Sequence, residues 1–124
     1  FLNHVGLSHK YLHEKSSGPV VFNEQLFYFR EVMPDDKIRV SFELAGMSED
    51  GTFFSFEHNF YNQEGINVAR CEMMGAWMNL RTRKLSSLPK ELFAEFSASN
   101  KTFDFKTLTA SDTRKHGKTP KHLK

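Results

Sequence analysis

The segment from Ile66 to Thr82, INVARCEMMGAWMNLRT, constrains the fold of this chain most strongly. It contains no proline and a single glycine, and its residues form two interleaved rows of side chains, which favours one long β-strand. A helix would place Gly75 in mid-element and would lack a polar face. A strand of this length has to bend, and we predict a bulge or kink at Gly75.

The composition is that of one globular domain. The chain has 124 residues, of which 39% are hydrophobic and 26% charged, so it is not of the disordered class. No apolar segment is long enough to span a membrane. The single cysteine, Cys71, precludes a disulfide within these residues and favours a reducing, cytoplasmic location. Because the first residue is Phe1 and not Met, we expect further residues upstream.

The charge is unevenly distributed. The net charge of +2 is too small to indicate a nucleic-acid partner by itself. The basic excess lies in residues 111–124, which contain five Lys or Arg and one Asp. We therefore predict a single domain over residues 1–110, followed by a basic, flexible tail over residues 111–124.

The elements before the long strand are predicted to be a helix end and three strands. Phe1–Gly6 has the spacing of a last helical turn, with Gly6 as its C-cap. Strands are predicted over residues 20–32, 37–44 and 52–61, separated by turns at 33–36, 48–51 and 62–65. Short turns between consecutive strands indicate an antiparallel meander.

After the long strand, a short helix is predicted over residues 87–97, with Pro89 near its first turn. Phe103 and Phe105 indicate one more short strand. A helix of about ten residues cannot cover a four-stranded apolar sheet face. We therefore expect the covering layer to lie upstream or in a partner chain.

The order and spacing of several short segments are similar to those of a known family. They are Phe1-Leu2, Gly6–Ser8, Gly18–Val21, Phe27–Phe29, Pro34–Asp36, Gly51, Phe54–Phe56, Asn62, Gly65, Trp77–Lys84 and Leu88-Pro89. Over residues 1–97 the chain resembles the hotdog-fold acyl-CoA thioesterases of the 4-hydroxybenzoyl-CoA thioesterase family. The resemblance is greatest to the short bacterial branch associated with the Tol-Pal system.

This resemblance implies an α+β hotdog fold, in which an antiparallel meander wraps round a central helix that is mostly upstream of Phe1. It implies hydrolysis of an acyl-CoA thioester to free acid and coenzyme A, without metal or redox cofactor. It also implies a homodimer or homotetramer with active sites at the interface. The family's Asp-x-x-Gly-His-x-x-Asn segment is absent here, and His4 matches it only superficially. The catalytic carboxylate is therefore expected before Phe1, and attack by water or through an anhydride stays open.

Six residues are candidates for binding the substrate. Arg81, Arg83 and Lys84 have the charge and donors to bind coenzyme A phosphates, although a solvated strand end has the same composition. His58 lies on an aromatic strand face, where a histidine at the core edge is the alternative. Ser55 and Asn62 are candidates to line an acyl or pantetheine path, and are also ordinary residues for a strand and a turn.

Other residues and functions are less favoured. His9 and His13 have helical spacing but no further ligand, so no metal site is predicted. Cys71 has no His nearby in sequence and is interpreted as a packing residue. The alternative function is a non-catalytic hotdog domain that binds an acyl thioester or a protein. Nucleic-acid binding is disfavoured, because the strand aromatics are not interleaved with Lys and Arg.

Overall fold

The computed structural model describes residues 16–123, apart from the Glu91 side chain. In this part of the chain, seven strands form one sheet and a short α-helix packs on one of its faces. The strands are β1 (Ser17–Tyr28), β2 (Arg39–Val40), β3 (Glu43–Met47), β4 (Phe53–Tyr61), β5 (Asn67–Asn79), β6 (Lys84–Leu85) and β7 (Lys101–Thr107). Helix α1 spans Lys90–Ser97, and a 3-10 helix spans Ala110–Arg114. The predicted helix end at Phe1–Gly6, with His4, His9 and His13, lies outside the described residues.

The strand order in the sheet is β1-β5-β4-β3-β7. Strands β3, β4 and β5 form the predicted antiparallel meander, and β2 and β6 extend it beside β4 and β5. Strand β1 departs from the order of the predicted meander, because it pairs with β5 and not with its neighbours in sequence. Strand β7 runs parallel to β3 at the opposite edge of the sheet.

The first two strands differ from their predicted ranges. β1 ends at Tyr28 and not near residue 32, because the N–H groups of Phe29 and Arg30 both donate to the Val68 carbonyl, at 2.9 and 3.2 Å. The predicted strand over residues 37–44 is divided into β2 and β3. At the division, the Ser41 side-chain oxygen accepts the Asn59 N–H at 3.0 Å and replaces the backbone carbonyl in the ladder.

The long strand is confirmed as β5, but it ends at Asn79 and not at Thr82. The Asn79 side-chain oxygen accepts the N–H groups of Arg81 and Thr82 at 2.9 and 3.1 Å, which starts a turn. Arg83 then has a left-handed backbone, with φ of 60°. This turn directs the chain back into β6, which pairs with the end of β5.

The irregularity predicted at Gly75 lies in the neighbouring strand. In the β1–β5 pairing the register shifts between Val21 and Asn23, opposite Gly75 and Met74. A Cβ atom on Gly75 would lie 2.2 Å from the Val20 carbonyl oxygen, which is far inside van der Waals contact. Glycine is therefore required here for the close approach of the β1 backbone.

Helix α1 covers one end of one sheet face, which we call the inner face. The buried residues there are Leu44, Met47, Phe54, Phe56, Trp77, Leu88, Leu92 and Phe96. The Phe96 ring packs edge-on to Trp77 at 6.0 Å between centroids. The helix begins at Lys90 and not at Ser87, because Pro89 is extended and serves as its N-cap.

The first residues of the predicted tail form the 3-10 helix. Thr109 and Asp112 form a capping box at its start, and Thr113 is buried. The Asp112 carboxylate also pairs with Lys115 and Lys106, at 2.8 and 3.4 Å. A domain boundary at residue 110 remains a prediction. No helix among residues 16–123 is long and apolar enough to cross a membrane.

Candidate active site

Three side chains from three neighbouring strands lie side by side on the inner face. His58 of β4 is the direct partner of Cys71 of β5, and Cys71 is also the partner of Leu26 of β1. Direct partners in antiparallel strands project to the same face of a sheet. Phe56, two residues before His58, packs against Phe96 of α1, so this row belongs to the inner face.

The His58 imidazole is held in one orientation by two contacts. Its Nδ1 atom lies 3.2 Å from the Ser41 carbonyl oxygen, and its ring lies 5.0 Å from the Phe42 ring between centroids. A carbonyl oxygen only accepts hydrogen bonds, so Nδ1 is the donor and carries the proton. In the neutral ring, Nε2 then has a lone pair that can accept a proton. His58 therefore has the tautomer that a general base requires.

Cys71 has a different character. Its side chain is buried, and its Sγ atom lies 3.8 Å from the Glu24 carboxylate. Burial raises the pKa of the Cys71 thiol, and the negative charge of Glu24 raises it further. The thiol therefore stays protonated near neutral pH and is a poor nucleophile. This agrees with the interpretation of Cys71 as a packing residue.

A cavity of about 710 Å³ begins beside this row, at the end of the inner face that α1 does not cover. Its walls are mainly apolar, and it is lined by Leu26, Tyr28, Phe29, Arg30, Glu31, Val32, Ile38, Phe60, Val68 and Ala69. Leu26 is the cross-strand partner of Cys71, and Phe60 follows His58 on the same face of β4. An apolar cavity of this size suits an acyl group. His58 lies next to its wall.

The predicted phosphate-binding residues lie at the other end of the sheet. Arg81, Arg83 and Lys84 are exposed in and after the turn that follows β5. From Cys71 to the end of β5 at Asn79 the strand extends over roughly 25 Å. Within one chain, these three cations are therefore remote from the inner-face cavity.

Ser55 and Asn62 are also separate from His58. Ser55 pairs with Met74 and projects from the opposite, outer face of the sheet. Asn62 lies in the turn between β4 and β5, where its side-chain oxygen accepts the N–H groups of Glu64 and Ile66, each at 3.0 Å. Of the six predicted residues, His58 alone lies next to the cavity.

The opposition of His58 and Cys71 was missed in the sequence, as were Glu24 and Leu26. The turn at residues 62–65 was recognised, and counting outward from it would have brought His58 close to Cys71 in register. The contribution of β1 had no such signal, because β1 is remote from β5 in sequence. Among residues 16–123, no group of three potential metal ligands is close enough to bind a metal ion.

A family model described as the thioesterase-like superfamily matches residues 1–96. The chain belongs to the thioesterase-like superfamily. The matched range includes the inner-face row, the cavity and most of α1, whereas β7 and the C-terminal residues lie beyond it. No curated protein sequence matches the chain significantly.

Several solved structures, among them two thioesterases, have a similar fold. SAV2348 from Staphylococcus aureus, solved in complex with CoA, superimposes with a TM-score of 0.71 at 18% identity, covering 81% of this chain and 64% of its own. The gentisyl-coenzyme A thioesterase BH1999 superimposes with a TM-score of 0.65 at 20% identity, covering 77% of this chain and 73% of its own. Slr0204, a 1,4-dihydroxy-2-naphthoyl-CoA thioesterase from Synechocystis, superimposes with a TM-score of 0.67 at 15% identity, covering 78% of this chain and 71% of its own.

The predicted hotdog fold and thioesterase resemblance are thus confirmed at the level of fold and superfamily. The narrower branch associated with the Tol-Pal system stays a prediction. The chain spans less than two thirds of the length of SAV2348.

Proposed function

We propose that this protein hydrolyses an acyl-CoA thioester to a free acid and coenzyme A. The main supporting observation is the apolar cavity on the inner face, which begins beside His58. Membership of the thioesterase-like superfamily supports the reaction class. The CoA in the SAV2348 structure and the thioesterase names of BH1999 and Slr0204 support a CoA-linked substrate.

In this proposal the acyl group occupies the cavity and the thioester carbonyl lies at its His58 end. The Nε2 atom of His58 accepts a proton from a water molecule as the water oxygen bonds to the carbonyl carbon. The carbon–sulfur bond then breaks, and the leaving thiolate takes the proton from the imidazolium. This is the direct-water route. The carboxylate expected before Phe1 would instead serve the anhydride route or share the role of base, and it remains a prediction.

We further propose a homodimer formed through β1. Among the described strands, β1 is an edge strand of twelve residues, and Val21, Phe22, Leu26 and Phe27 on it are 40–56% exposed. A long apolar edge of this kind is normally covered. Antiparallel pairing of two β1 strands about a two-fold axis would give a continuous sheet. Pairing of such dimers into a homotetramer is the further possibility.

Such a dimer would bring the remote cations to the cavity. Ser17, at the start of β1, pairs with Asn79 at the end of β5, whereas Tyr28 at the other end lines the cavity. In an antiparallel β1 pair, the second copy's Ser17 and Asn79 lie near the first copy's Tyr28. Neighbouring strands are about 4.8 Å apart, so the second copy's Arg81, Arg83 and Lys84 would come within about 15 Å of the cavity. There they would meet the coenzyme A phosphates.

A cytoplasmic location is proposed on the basis of the free thiol of Cys71.

The alternative function is a non-catalytic domain that binds acyl thioesters. Release of free thiol from a panel of aliphatic and aromatic acyl-CoAs, measured with the full-length natural protein, tests hydrolysis. Calorimetric titration with the same acyl-CoAs tests binding. Turnover supports the hydrolase, whereas tight binding without turnover favours the alternative. The absence of both turnover and binding would overturn both functions.

A further inference from the structure

The C-terminal part of the chain has the opposite charge to the rest. Residues 101–124 contain seven Lys or Arg and two Asp, whereas residues 1–100 contain ten Lys or Arg and thirteen Asp or Glu. The first group is therefore net positive by five charges and the second net negative by three. Segregation of charge on this scale indicates an anionic partner for the C-terminal part. The proposed reaction does not use these cations, because the coenzyme A phosphates are assigned to Arg81, Arg83 and Lys84.

Part of this positive charge is free to contact a partner. Asp112 pairs with Lys106 and Lys115 and thereby fixes the 3-10 helix that follows β7. The exposed Arg114, Lys118 and Lys121 form no ion pair with any residue between 16 and 123. Arg114 ends the 3-10 helix and Lys118 and Lys121 follow it, so an external anion is the partner that we consider for them.

The same segment exposes two large apolar side chains completely. Phe103 lies in a bulge of β7, at the register shift between the Lys101–Leu44 and Lys106–Gly46 pairs with β3. Thr102 in this bulge is buried, whereas Phe103 is exposed to 104% of its reference area. Leu123 is exposed to 101%. Side chains of this size gain most by entering an apolar phase.

We propose that residues 101–123 form a docking surface for an anionic lipid bilayer. Arg114, Lys118 and Lys121 would lie among the lipid headgroups, and Phe103 and Leu123 would enter the boundary with the acyl chains. Stable attachment to a membrane surface generally needs two signals, and basic residues combined with an apolar insertion supply both. All these residues lie beyond the range matched by the superfamily model, and none of them belongs to the inner-face site, so the proposal does not rest on the proposed reaction.

A lipid surface explains these features better than a nucleic acid does. Single strands of nucleic acid stack on rows of aromatic side chains, and only Phe103 and Phe105 are aromatic in residues 101–124. Lys101 lies over the Phe105 ring, which is partly buried, so this ring is not free to stack. Six of the seven cations are Lys and one is Arg, whereas the forked guanidinium is the usual choice for nucleic-acid phosphates. The aliphatic side chain of Leu123 neither stacks on a nucleobase nor forms hydrogen bonds with it.

Co-sedimentation of the full chain with vesicles tests the proposal. One set of vesicles is phosphatidylcholine alone, and the other also contains phosphatidylglycerol. A triple variant, Arg114→Glu with Lys118→Glu and Lys121→Glu, removes the free cations. Its matched control is Lys37→Glu with Arg39→Glu and Lys90→Glu, which changes net charge equally at exposed residues elsewhere. Phe103→Ser is matched by Val40→Ser, a change at an exposed residue outside the segment.

We expect binding to the anionic vesicles that weakens at high salt, and no binding to phosphatidylcholine alone. Each cation near the surface raises the affinity for anionic vesicles about fivefold, so the triple variant should bind at least about a hundredfold more weakly. Its control should bind as the natural chain does. Phe103→Ser should lower binding about tenfold. The proposal would be overturned by no binding to anionic vesicles at low salt, or by an equal loss of binding in both triple variants. It would also be overturned if a single-stranded oligonucleotide displaced the protein from the vesicles and the Phe103→Ser variant bound that oligonucleotide as tightly as the natural chain.

Discussion

His58 and Cys71 are direct cross-strand partners on the inner face, and their environments give them opposite reactivities. The Ser41 carbonyl oxygen accepts a hydrogen bond from the Nδ1–H of His58, which leaves Nε2 as the acceptor atom of the neutral ring. Burial and the Glu24 carboxylate raise the pKa of the Cys71 thiol. His58 therefore has the tautomer that the proposed base requires, whereas the Cys71 thiol stays protonated, and this difference underlies the first two predictions.

Replacement of His58 by Gln should lower kcat by about 10²–10⁴-fold, the usual contribution of a general base. Glutamine can still donate to the Ser41 carbonyl, so the sheet should be preserved. Steady-state thiol release measures kcat, and thermal unfolding checks the fold. Cys71→Ala is the control at the partner position and should retain kcat within a few-fold. Full activity in the Gln variant would exclude His58 as the base.

The Cys71 thiol should react slowly with iodoacetamide near neutral pH, because a raised pKa leaves little thiolate. Glu24→Gln removes a negative charge that disfavours the thiolate, so it should lower the pKa and speed alkylation at a fixed pH. The rate is measured by mass spectrometry as a function of pH. Glu49→Gln is the control, because Glu49 is an exposed residue in the turn between β3 and β4 and is remote from Cys71 along the sheet. An unchanged rate in the Glu24 variant would show that its charge does not reach the thiol.

The sequence predicts local features of this fold well and long-range pairing poorly. The long strand β5 was recognised because alternation and the lack of proline are local signals, and β4 was located to within one residue. The parallel pairing of β7 with β3 was not foreseen, since nothing local in residues 101–107 indicates its partner. For the site, His58 was a candidate, but the cavity wall formed by Leu26 and Tyr28 depends on the β1–β5 pairing.

Gly75 illustrates the same limit. The glycine indicated a special backbone position, but not whether that position was a bulge or a close approach. The answer depends on the Val20 carbonyl of another strand, 2.2 Å from where a Cβ would lie. Ser41 is similar, because its hydroxyl replaces a carbonyl in the ladder only once Asn59 is in register.

Gly75→Ala should destabilise the protein by about 3 kcal/mol or more, because the new methyl group collides with the β1 backbone. Gly18→Ala is the matched control in the same strand pair. There a Cβ meets only the flexible Leu80 side chain, at 3.2 Å, and the expected cost is below about 1 kcal/mol. Urea unfolding measures both. Equal stabilities for the two variants would contradict the close approach of β1 at Gly75.

The Asp112 cluster should respond to acid. The hydrogen bond from Lys115 and the Thr109 N–H hold the pKa of the Asp112 carboxyl well below its ordinary value of 3.8. A lowered pKa in the folded segment means that the ionised form stabilises it. The stabilisation is therefore complete above pH 3.8 and is lost as the pH falls through the lower folded value.

Amide hydrogen exchange at Thr109 measures this, because its N–H donates to Asp112 at 2.8 Å. The protection factor should stay constant from neutral pH to about 4 and fall below it. Asp112→Asn should lower protection at neutral pH. Asp104→Asn, at an exposed residue that forms no ion pair among residues 16–123, should leave it unchanged. Protection that is insensitive to both changes would show that Asp112 does not hold the 3-10 helix.

The most direct test of the inner-face site is the acyl-chain profile of thioester hydrolysis by the full-length protein and its Ala69→Phe variant. Ala69 lines the cavity, so a phenyl group there would fill part of the space assigned to the acyl group. We expect kcat/KM for long or aromatic acyl-CoAs to fall at least about tenfold, while that for acetyl-CoA changes little. An identical profile in both proteins would contradict the inner-face site, and the absence of turnover and of binding in the natural protein would contradict thioester chemistry altogether.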